Sequence, residues 1–503
     1  MLDIASVEPS TEGAKAFLQR SKYDLLIGGD WVAASGGEYF ETIDPANGNV
    51  IGNLARANAA DVDKAVAAAR KAFSSGAWPA MTPAERSVLL HKLADLIDAN
   101  IDELSELETL DQGKPLFVGR WAEIPAAAQQ FRYFGGAANM IEGSTIPTSV
   151  NYQPEGKKVF AYTRREAVGV VGAIVPWNSP LILTAMKLAP ALAAGCTIVL
   201  KPAEDTSLTA IRLGELVTEA GFPPGVVNVV TGYGHEAGAA LASHMDVDKI
   251  AFTGSTATGR MIMDAAKTNL KKISLELGGK SPSIVFDDAD LDAAIPGVAN
   301  AIFFNGGQVC VAGSRLYVQR GVFDKVVEGV AEIAKNMKLG HGLDASTQLG
   351  PLVNQRQASK VADYVAGSKA DGADVVFGGE LIGNSGCFVS PAVVSNVHSN
   401  MKIVKEEVFG PVLVCTPFDD ASEVVDLAND SDYGLAAGVW SESLSTAHRM
   451  AEALKSGTVW INTHSMFDPS LPIGGMKQSG WGRDSGQEAL NGYLETKTVC
   501  AVI

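Results

Sequence analysis

Cysteine is scarce in this chain: five residues, Cys196, Cys310, Cys387, Cys415 and Cys500, spread over 503 positions. The number is odd and no two stand as Cys-x-x-Cys, which argues against a disulfide framework and against a zinc or other metal site. Clustered positive charge is also missing. The net charge is −17 with no basic run, so neither nucleic acid nor an anionic membrane surface is expected as a partner. An uninterrupted apolar stretch is lacking too. The most apolar region, 167–200, is broken by Pro176, Asn178, Pro180, Lys187 and Pro190, which rules it out as a membrane span. Residues 1–13 have neither a basic region nor an apolar core and do not read as a signal peptide. The expectation is a soluble protein of a reducing compartment, most simply the cytoplasm.

What is present points to several packed cores. Apolar residues make up 47% of the chain and charged ones 19%, and a length of 503 divides into about three folding units. The 52 glycines exceed the usual share of about 7% and predict many tight turns.

Residues 25–32 read as a strand with a Gly-rich turn. The periodicity predicts helices over 61–74, 84–110 (stopped by Gly113 and Pro115) and 126–139. Residues 159–163 alternate like an edge strand. Strands are then expected at 167–175, 197–201, 226–231, 249–253 and 272–277, with helix-length segments between them, which is the pattern of a parallel α/β sheet. A second such run has strands at 283–286, 315–319, 374–377, 412–418 and 458–462, with a helix over 322–337. The tail, 494–503, either frays or supplies an edge strand.

Certain residues carry chemistry. Cys310 ends the stretch Phe303-Phe304-Asn305-Gly306-Gly307-Gln308-Val309-Cys310. Two glycines before a cysteine permit a sharp turn with exposed N–H groups, and an electropositive setting would lower the thiol into the reactive range; a buried structural thiol is the alternative. Glu276 stands between two leucines in Leu275-Glu276-Leu277-Gly278-Gly279-Lys280-Ser281-Pro282. Burial there would raise its pKa and suit a general base, although alternation also permits a solvent-facing glutamate. Asn178, in Pro176-Trp177-Asn178-Ser179-Pro180, suits an oxyanion hole or a simple turn. Lys201 and Glu204 follow a strand end, where a carboxylate can bind ribose hydroxyls, and Gly254-Ser255 opens a helix whose N-terminus can take phosphate. The stretch Gly232-Tyr233-Gly234-His235-Glu236-Ala237-Gly238 narrowly misses the Gly-x-Gly-x-x-Gly spacing and is not assigned the pyrophosphate.

Together these motifs, in this order, resemble the aldehyde dehydrogenase superfamily: PWN at Pro176, KPAE at Lys201, FTGST at Phe252, ELGGKSP at Glu276, GGQVC ending at Cys310 and EEVFGP at Glu406. The resemblance runs from about Tyr23 to Lys497. It implies an α/β fold with a split Rossmann-like NAD-binding domain (1–149 with 167–278), an α/β catalytic domain (279–486) and a small β oligomerisation element (150–166 with 487–503). It implies NAD as cofactor, a small-molecule aldehyde as substrate, and a homodimer or homotetramer. Cys310 then looks like the nucleophile, Asn178 the oxyanion donor, Glu276 the base that releases the acid, and Lys187 with Asp484 a proton relay. Trp177, Lys201, Glu204, Gly254, Ser255, Glu407 and Phe409 look like cofactor contacts, and Glu204 favours NAD over NADP.

Two departures from the family pattern stand out. Ser179 replaces a common aromatic, leaving room beside the nucleophile, and Gly306 replaces a common glutamine, which is expected to loosen the turn. Ser179, Leu183, Met186, Phe304, Phe467 and Ile473 are expected to line an apolar tunnel without a charge clamp, which disfavours betaine aldehyde and charged semialdehydes. The loop 462–473 and the chain's ending are similar to bacterial phenylacetaldehyde dehydrogenases. A coenzyme-A-acylating relative or a non-catalytic protein on the same fold would be expected to lack Glu276 or Cys310.

Overall fold

The structure is a computed structural model that describes residues 7–149, 155–383 and 386–503. Its larger sheet has eight strands. Five central strands run parallel in the spatial order Val227–Val229, Thr197–Lys201, Val170–Ile174, Lys249–Thr253, Lys272–Glu276. A hairpin (Leu25–Ile27 with Asp30–Val32) adds antiparallel at one edge, and the short strand Gly480–Trp481 closes the other. The central strands are buried on both faces, which is why they read as continuous apolar runs rather than alternating ones. The helix Pro180–Ala194 is equally apolar, with 13 of its residues buried, and it packs on Ile124–Ala137 and Pro83–Ala99 in the largest core.

The second sheet has seven strands, ordered Asp374–Phe377, Ala392–Ser395, Val412–Phe418, Arg315–Gln319, Pro282–Val285, Ala436–Trp440, Thr458–Ile461, all parallel except the first. A third sheet joins Leu494–Val502 to Val159–Ala167 along nine antiparallel pairs, with Thr145–Ile146 beyond. The tail is therefore a strand and not a frayed end. Of the expected oligomerisation segment, residues 150–154 lie outside the described residues.

The expected helix over 84–110 is two helices, Pro83–Ala99 and Ile101–Gln112. Asn100 breaks them: its backbone leaves helical geometry and its side chain donates to the Leu96 carbonyl at 2.8 Å. The strand expected at 159–163 extends to Ala167, because its whole length is paired by the tail. The sequence pattern missed the hairpin Tyr39–Ile43 with Val50–Ala55, and the inner strands Ala392–Ser395 and Ala436–Trp440. The last of these opens Ala-Ala-Gly, small residues of weak strand preference, before Val-Trp. Its neighbours on both sides, rather than its own propensity, make it a strand.

This topology creates the site. Adjacent parallel strands of the first sheet end, in register, at Lys201, Ile174, Thr253 and Glu276. Their carboxyl ends deliver Trp177, Asn178, Gly254 and Ser255 to one edge, where α/β sheets bind ligands. In the second sheet, Cys310 and Glu407–Phe409 immediately precede the neighbouring strands Arg315–Gln319 and Val412–Phe418.

Candidate active site

One cleft brings these ends together. Its empty volume is about 670 Å³, and Trp177, Asn178, Gly254, Ser255, Cys310, Glu407 and Phe409 line it, along with Gln357 and Lys360, which sequence reasoning did not single out. Seven of the expected residues thus meet in one place.

The turn before Cys310 is held in a rare backbone shape. Asn305, Gly306 and Gly307 have φ of 49°, 61° and 69°. Asn305 tolerates this because its side-chain amide donates to the Asn178 carbonyl at 2.9 Å, which ties the nucleophile turn to the asparagine loop. Gln308 closes the turn, accepting from the Val353 N–H at 3.0 Å and donating to the Asn305 carbonyl at 3.1 Å. A Cβ on Gly307 would collide with the Gly410 carbonyl, so only glycine fits. Gly306 does not loosen the turn as expected: at positive φ glycine is the unstrained residue, and a glutamine would carry the strain.

The thiol departs from expectation. Cys310 is pushed up to about 12, first by burial and then by the carboxylates of Glu407 and Glu276; the N–H groups of Val311 and Cys310 itself only partly oppose this. The setting is not electropositive, and the resting group is a neutral thiol that needs a base or a nearby cation to react.

Glu276 is 7% exposed, and its Oε1 is buried without a hydrogen-bond partner. Burial and the neighbouring Asp484 hold it well above the ordinary carboxyl range, against Lys187, Arg483 and the Gly475 N–H. It is therefore not a solvent-facing strand residue. Lys187 and Asp484, 297 positions apart in sequence, form a buried ion pair at 2.6 Å. Buried pairs of this kind are costly unless well satisfied.

On the opposite wall, Glu407 accepts from the Gly279 N–H at 2.8 Å and is raised to about 7 by burial. A Cβ on Gly278 would strike its carboxylate, and one on Gly279 would strike the Cys310 carbonyl, which explains the paired glycines. Phe409 has φ of 59° and stands edge-on to Trp177 with ring centroids 5.2 Å apart. Gln357 holds that strained residue by donating to the carbonyls of Phe409 (2.8 Å) and Val408 (3.1 Å). A sequence signal for Gln357 existed in Asn354, whose side chain caps the helix Gln355–Ala370 and so fixes which face Gln357 and Lys360 present.

Ser255 caps the helix Thr256–Ala266, accepting from the Thr258 N–H at 3.1 Å. Lys201 and Glu204 do not line the cleft. They pair with each other at 3.0 Å, and although burial opposes it, Lys201 holds Glu204 below its ordinary pKa. The Gly234 N–H also bears on Glu204, so the near-miss glycine stretch supports this carboxylate. It forms one π-helical turn over Gly234–Gly238.

Among the expected tunnel residues, Ile473 and Cys310 pack on the same buried cluster of Val311, Leu435, Ala436 and Trp460. Phe467 is half exposed and edge-on to Trp460 at 5.7 Å. Ser179, Leu183 and Met186 recur at helical spacing from the cap of Pro180–Ala194, and Phe304 caps the end of Leu291–Phe303. What lies behind Ser179 is not readable from its local pattern. Its hydroxyl donates to Glu123 at 2.8 Å, and Lys114 bridges Glu123 to Glu108, all three buried. Burial works against both carboxyls. Lys114 overcomes it at Glu108, which stays low, while Glu123 is raised to about 8. Among the described residues no group of His, Cys, Asp and Glu could hold a metal, and no helix is long and apolar enough to cross a membrane.

Comparison with known proteins agrees with this fold. A sequence model described as the aldehyde dehydrogenase family matches residues 31–499. The chain is 48% identical to aldehyde dehydrogenase family 2 member C4 of Arabidopsis thaliana over 476 residues, 94% of each protein. It superposes on the NAD+ complex of an aldehyde dehydrogenase from Bacillus cereus with a TM-score of 0.96, at 47% identity, covering 99% of this chain and 100% of the other. A betaine aldehyde dehydrogenase from Staphylococcus aureus, also solved with NAD+, gives a TM-score of 0.94 at 40% identity, covering 97% and 96%. The chain belongs to the aldehyde dehydrogenase family.

Proposed function

We propose that this protein is an NAD-dependent aldehyde dehydrogenase that releases a carboxylic acid by hydrolysis. The observation that carries the reading is the convergence of Cys310 and Asn178 in one cleft, with Glu276 buried, its Oε1 unpartnered, and close enough to perturb the thiol. Cys310, once deprotonated, attacks the aldehyde carbon, and the Asn178 amide with the Cys310 N–H receives the oxyanion. Bound NAD would supply the hydride acceptor. Glu276 then takes a proton from the water that splits the thioester.

The residues fit that cofactor. Glu204 and Lys201 offer ribose-hydroxyl contacts, Gly254-Ser255 a helix N-terminus for pyrophosphate, Glu407 a second ribose contact, and Trp177 with Phe409 aromatic walls. The preferred substrate in this reading is an aryl-acetaldehyde such as phenylacetaldehyde, supported by small Ser179 and the apolar side chains Leu183, Met186, Phe304, Phe467 and Ile473. Glu123 is raised to about 8 and paired by Lys114, so it offers no anionic clamp for betaine aldehyde. The second reading is a broad-specificity enzyme for aliphatic aldehydes, since apolar pockets discriminate weakly. The same reading divides the chain at 149, 166, 278 and 486. It makes the open edge of Leu494–Val502 a self-association strand in a cytoplasmic homo-oligomer.

The test is NADH and acid formation with and without coenzyme A, over acetaldehyde, hexanal, benzaldehyde and phenylacetaldehyde. Acid without coenzyme A, and the highest kcat/KM for phenylacetaldehyde, are expected. A requirement for coenzyme A would refute hydrolysis, and a clear preference for hexanal would refute the aryl substrate.

A further inference from the structure

Beyond the strand Thr458–Ile461 the chain enters the loop 462–473, which carries the expected tunnel residues Phe467 and Ile473. Asn462 and Ser465 in this loop take positive φ of 54° and 59°. Asn462 tolerates this because its side chain is clasped to the end of the neighbouring strand. It accepts from the Ser441 N–H at 2.9 Å and donates to the Ser441 carbonyl at 3.0 Å. Between the two turns lies His464, which is 8% exposed.

Its Nε2 is 2.8 Å from the Val311 carbonyl. A carbonyl only accepts, so Nε2 carries the proton and donates. Burial lowers the imidazole pKa, with the bond to Val311 opposing it, and Nδ1 is left buried without a partner. An apolar ring would fill the same space without stranding a nitrogen. What histidine adds here is the bond to Val311, the residue that follows the nucleophile. The second sheet leaves room for the ring: a Cβ on Gly438, in the strand Ala436–Trp440, would lie 2.7 Å from Nδ1.

The face of the imidazole meets Trp460, with ring centroids 4.8 Å apart. Trp460 in turn donates from Nε1 to the Met466 carbonyl at 3.0 Å and stands edge-on to Phe467. It shares a buried cluster with Val311, on which Cys310 and Ile473 pack. One edge of His464 therefore holds the backbone beside the nucleophile, and its face holds the residue that fixes the loop.

We propose that His464 is a positioning residue that couples the loop 462–473 to the Cys310 segment, so that an aldehyde seated against the loop meets the thiol at attacking distance. The proposal rests on the reading of Cys310 as the nucleophile and of the loop as part of the aldehyde's seat. His464 acts through Val311 and Trp460 and does not touch the substrate. A misplacement of about 1 Å costs as much as a hundredfold in rate. The coupling matters only to an aldehyde long enough to reach the loop, so acetaldehyde should be nearly indifferent to it.

The experiment compares wild type, His464→Phe, His464→Gln, Trp460→Phe, the His464→Phe/Trp460→Phe double variant and Cys310→Ala by stopped flow. Phenylacetaldehyde and hexanal serve as long aldehydes and acetaldehyde as the short one. The rate of the NADH burst reads attack and hydride transfer, while NAD affinity and Tm report folding. His464→Phe keeps a ring and loses the donor. Its burst should slow about tenfold with the long aldehydes and less than about threefold with acetaldehyde. His464→Gln keeps an N–H donor and should recover most of the loss. Trp460→Phe severs the other end of the link and should give the same pattern; it carries the test alone if His464→Phe does not fold. The double variant should lose no more than the slower single one, because both bonds belong to one chain of contacts. Unchanged bursts in both single variants, equal losses for long and short aldehydes, a glutamine variant as slow as the phenylalanine one, or additive losses would each overturn the coupling, and an inactive Cys310→Ala would leave the nucleophile assignment standing. Near-normal turnover in Cys310→Ala would overturn the nucleophile and the coupling together.

Discussion

Burial raises the pKa of both Cys310 and Glu276, yet their surroundings differ. The thiol opens onto a cleft, rests on a strained turn and has backbone N–H groups aimed at it. The carboxyl has an unpartnered oxygen and a buried ion pair behind it. One environment is built to receive an electrophile and the other to receive and pass on a proton. The thiol therefore needs a base to react, and the carboxyl acts on water only in its ionised form.

Removing one side of this comparison at a time gives the largest effects. Cys310→Ala should reduce turnover to background while NAD affinity, measured by fluorescence titration, is unchanged. Near-normal turnover would mean another nucleophile. Glu276→Gln should be milder and different in kind: a burst of NADH should persist while acid release slows by about 10²- to 10⁴-fold. The pH profile should separate them further. A base works only when ionised, and burial raises Glu276 well above the ordinary carboxyl range. Acid release should therefore speed up as pH rises through that higher range, and Glu276→Gln should lack this limb. A wild-type profile already flat there would contradict the burial argument.

Cofactor choice is a smaller effect. Glu204 is held ionised by Lys201, so a 2′-phosphate placed beside it meets like charge. A preference for NAD over NADP on the order of a hundredfold is expected, and Glu204→Gln should reduce it. Equal kcat/KM for both cofactors in wild type would remove Glu204 from that role.

How much of this was legible in the sequence depends on whether a residue's setting is local. The nucleophile turn, the paired glycines at Gly278-Gly279 and the parallel strands of the first sheet carry their causes within a few residues, and they were readable. The strand Ala436–Trp440 was not, because its neighbours impose it. The raised thiol was misjudged for the same reason: Glu407 and Glu276 lie 97 and 34 positions away by sequence number and meet Cys310 only in the fold. The Glu108–Lys114–Glu123 network was invisible, since no local pattern tells a buried helical glutamate from a solvated one.

That network makes the smallest prediction and the most discriminating one. Ser179 has two possible contributions, lack of bulk and a hydrogen bond to Glu123, and two substitutions separate them. Ser179→Ala removes only the bond. Glu123 keeps its contact with Lys114, so the cost should be about 1 kcal/mol in stability with little change in substrate preference. Ser179→Phe removes the bond and fills space as well. Overpacking of about 1–3 kcal/mol, directed at the bound ring, should lower kcat/KM for phenylacetaldehyde roughly tenfold more than for acetaldehyde, whose methyl does not reach as far. If Ala and Phe shift both substrates alike, the Ser179 wall does not set the preference, and the apolar side chains of Phe304 and Ile473 become the residues to vary. If Ala alone changes the preference, the Glu123 network orients the pocket through its hydrogen bond, and space beside Cys310 is not the determinant.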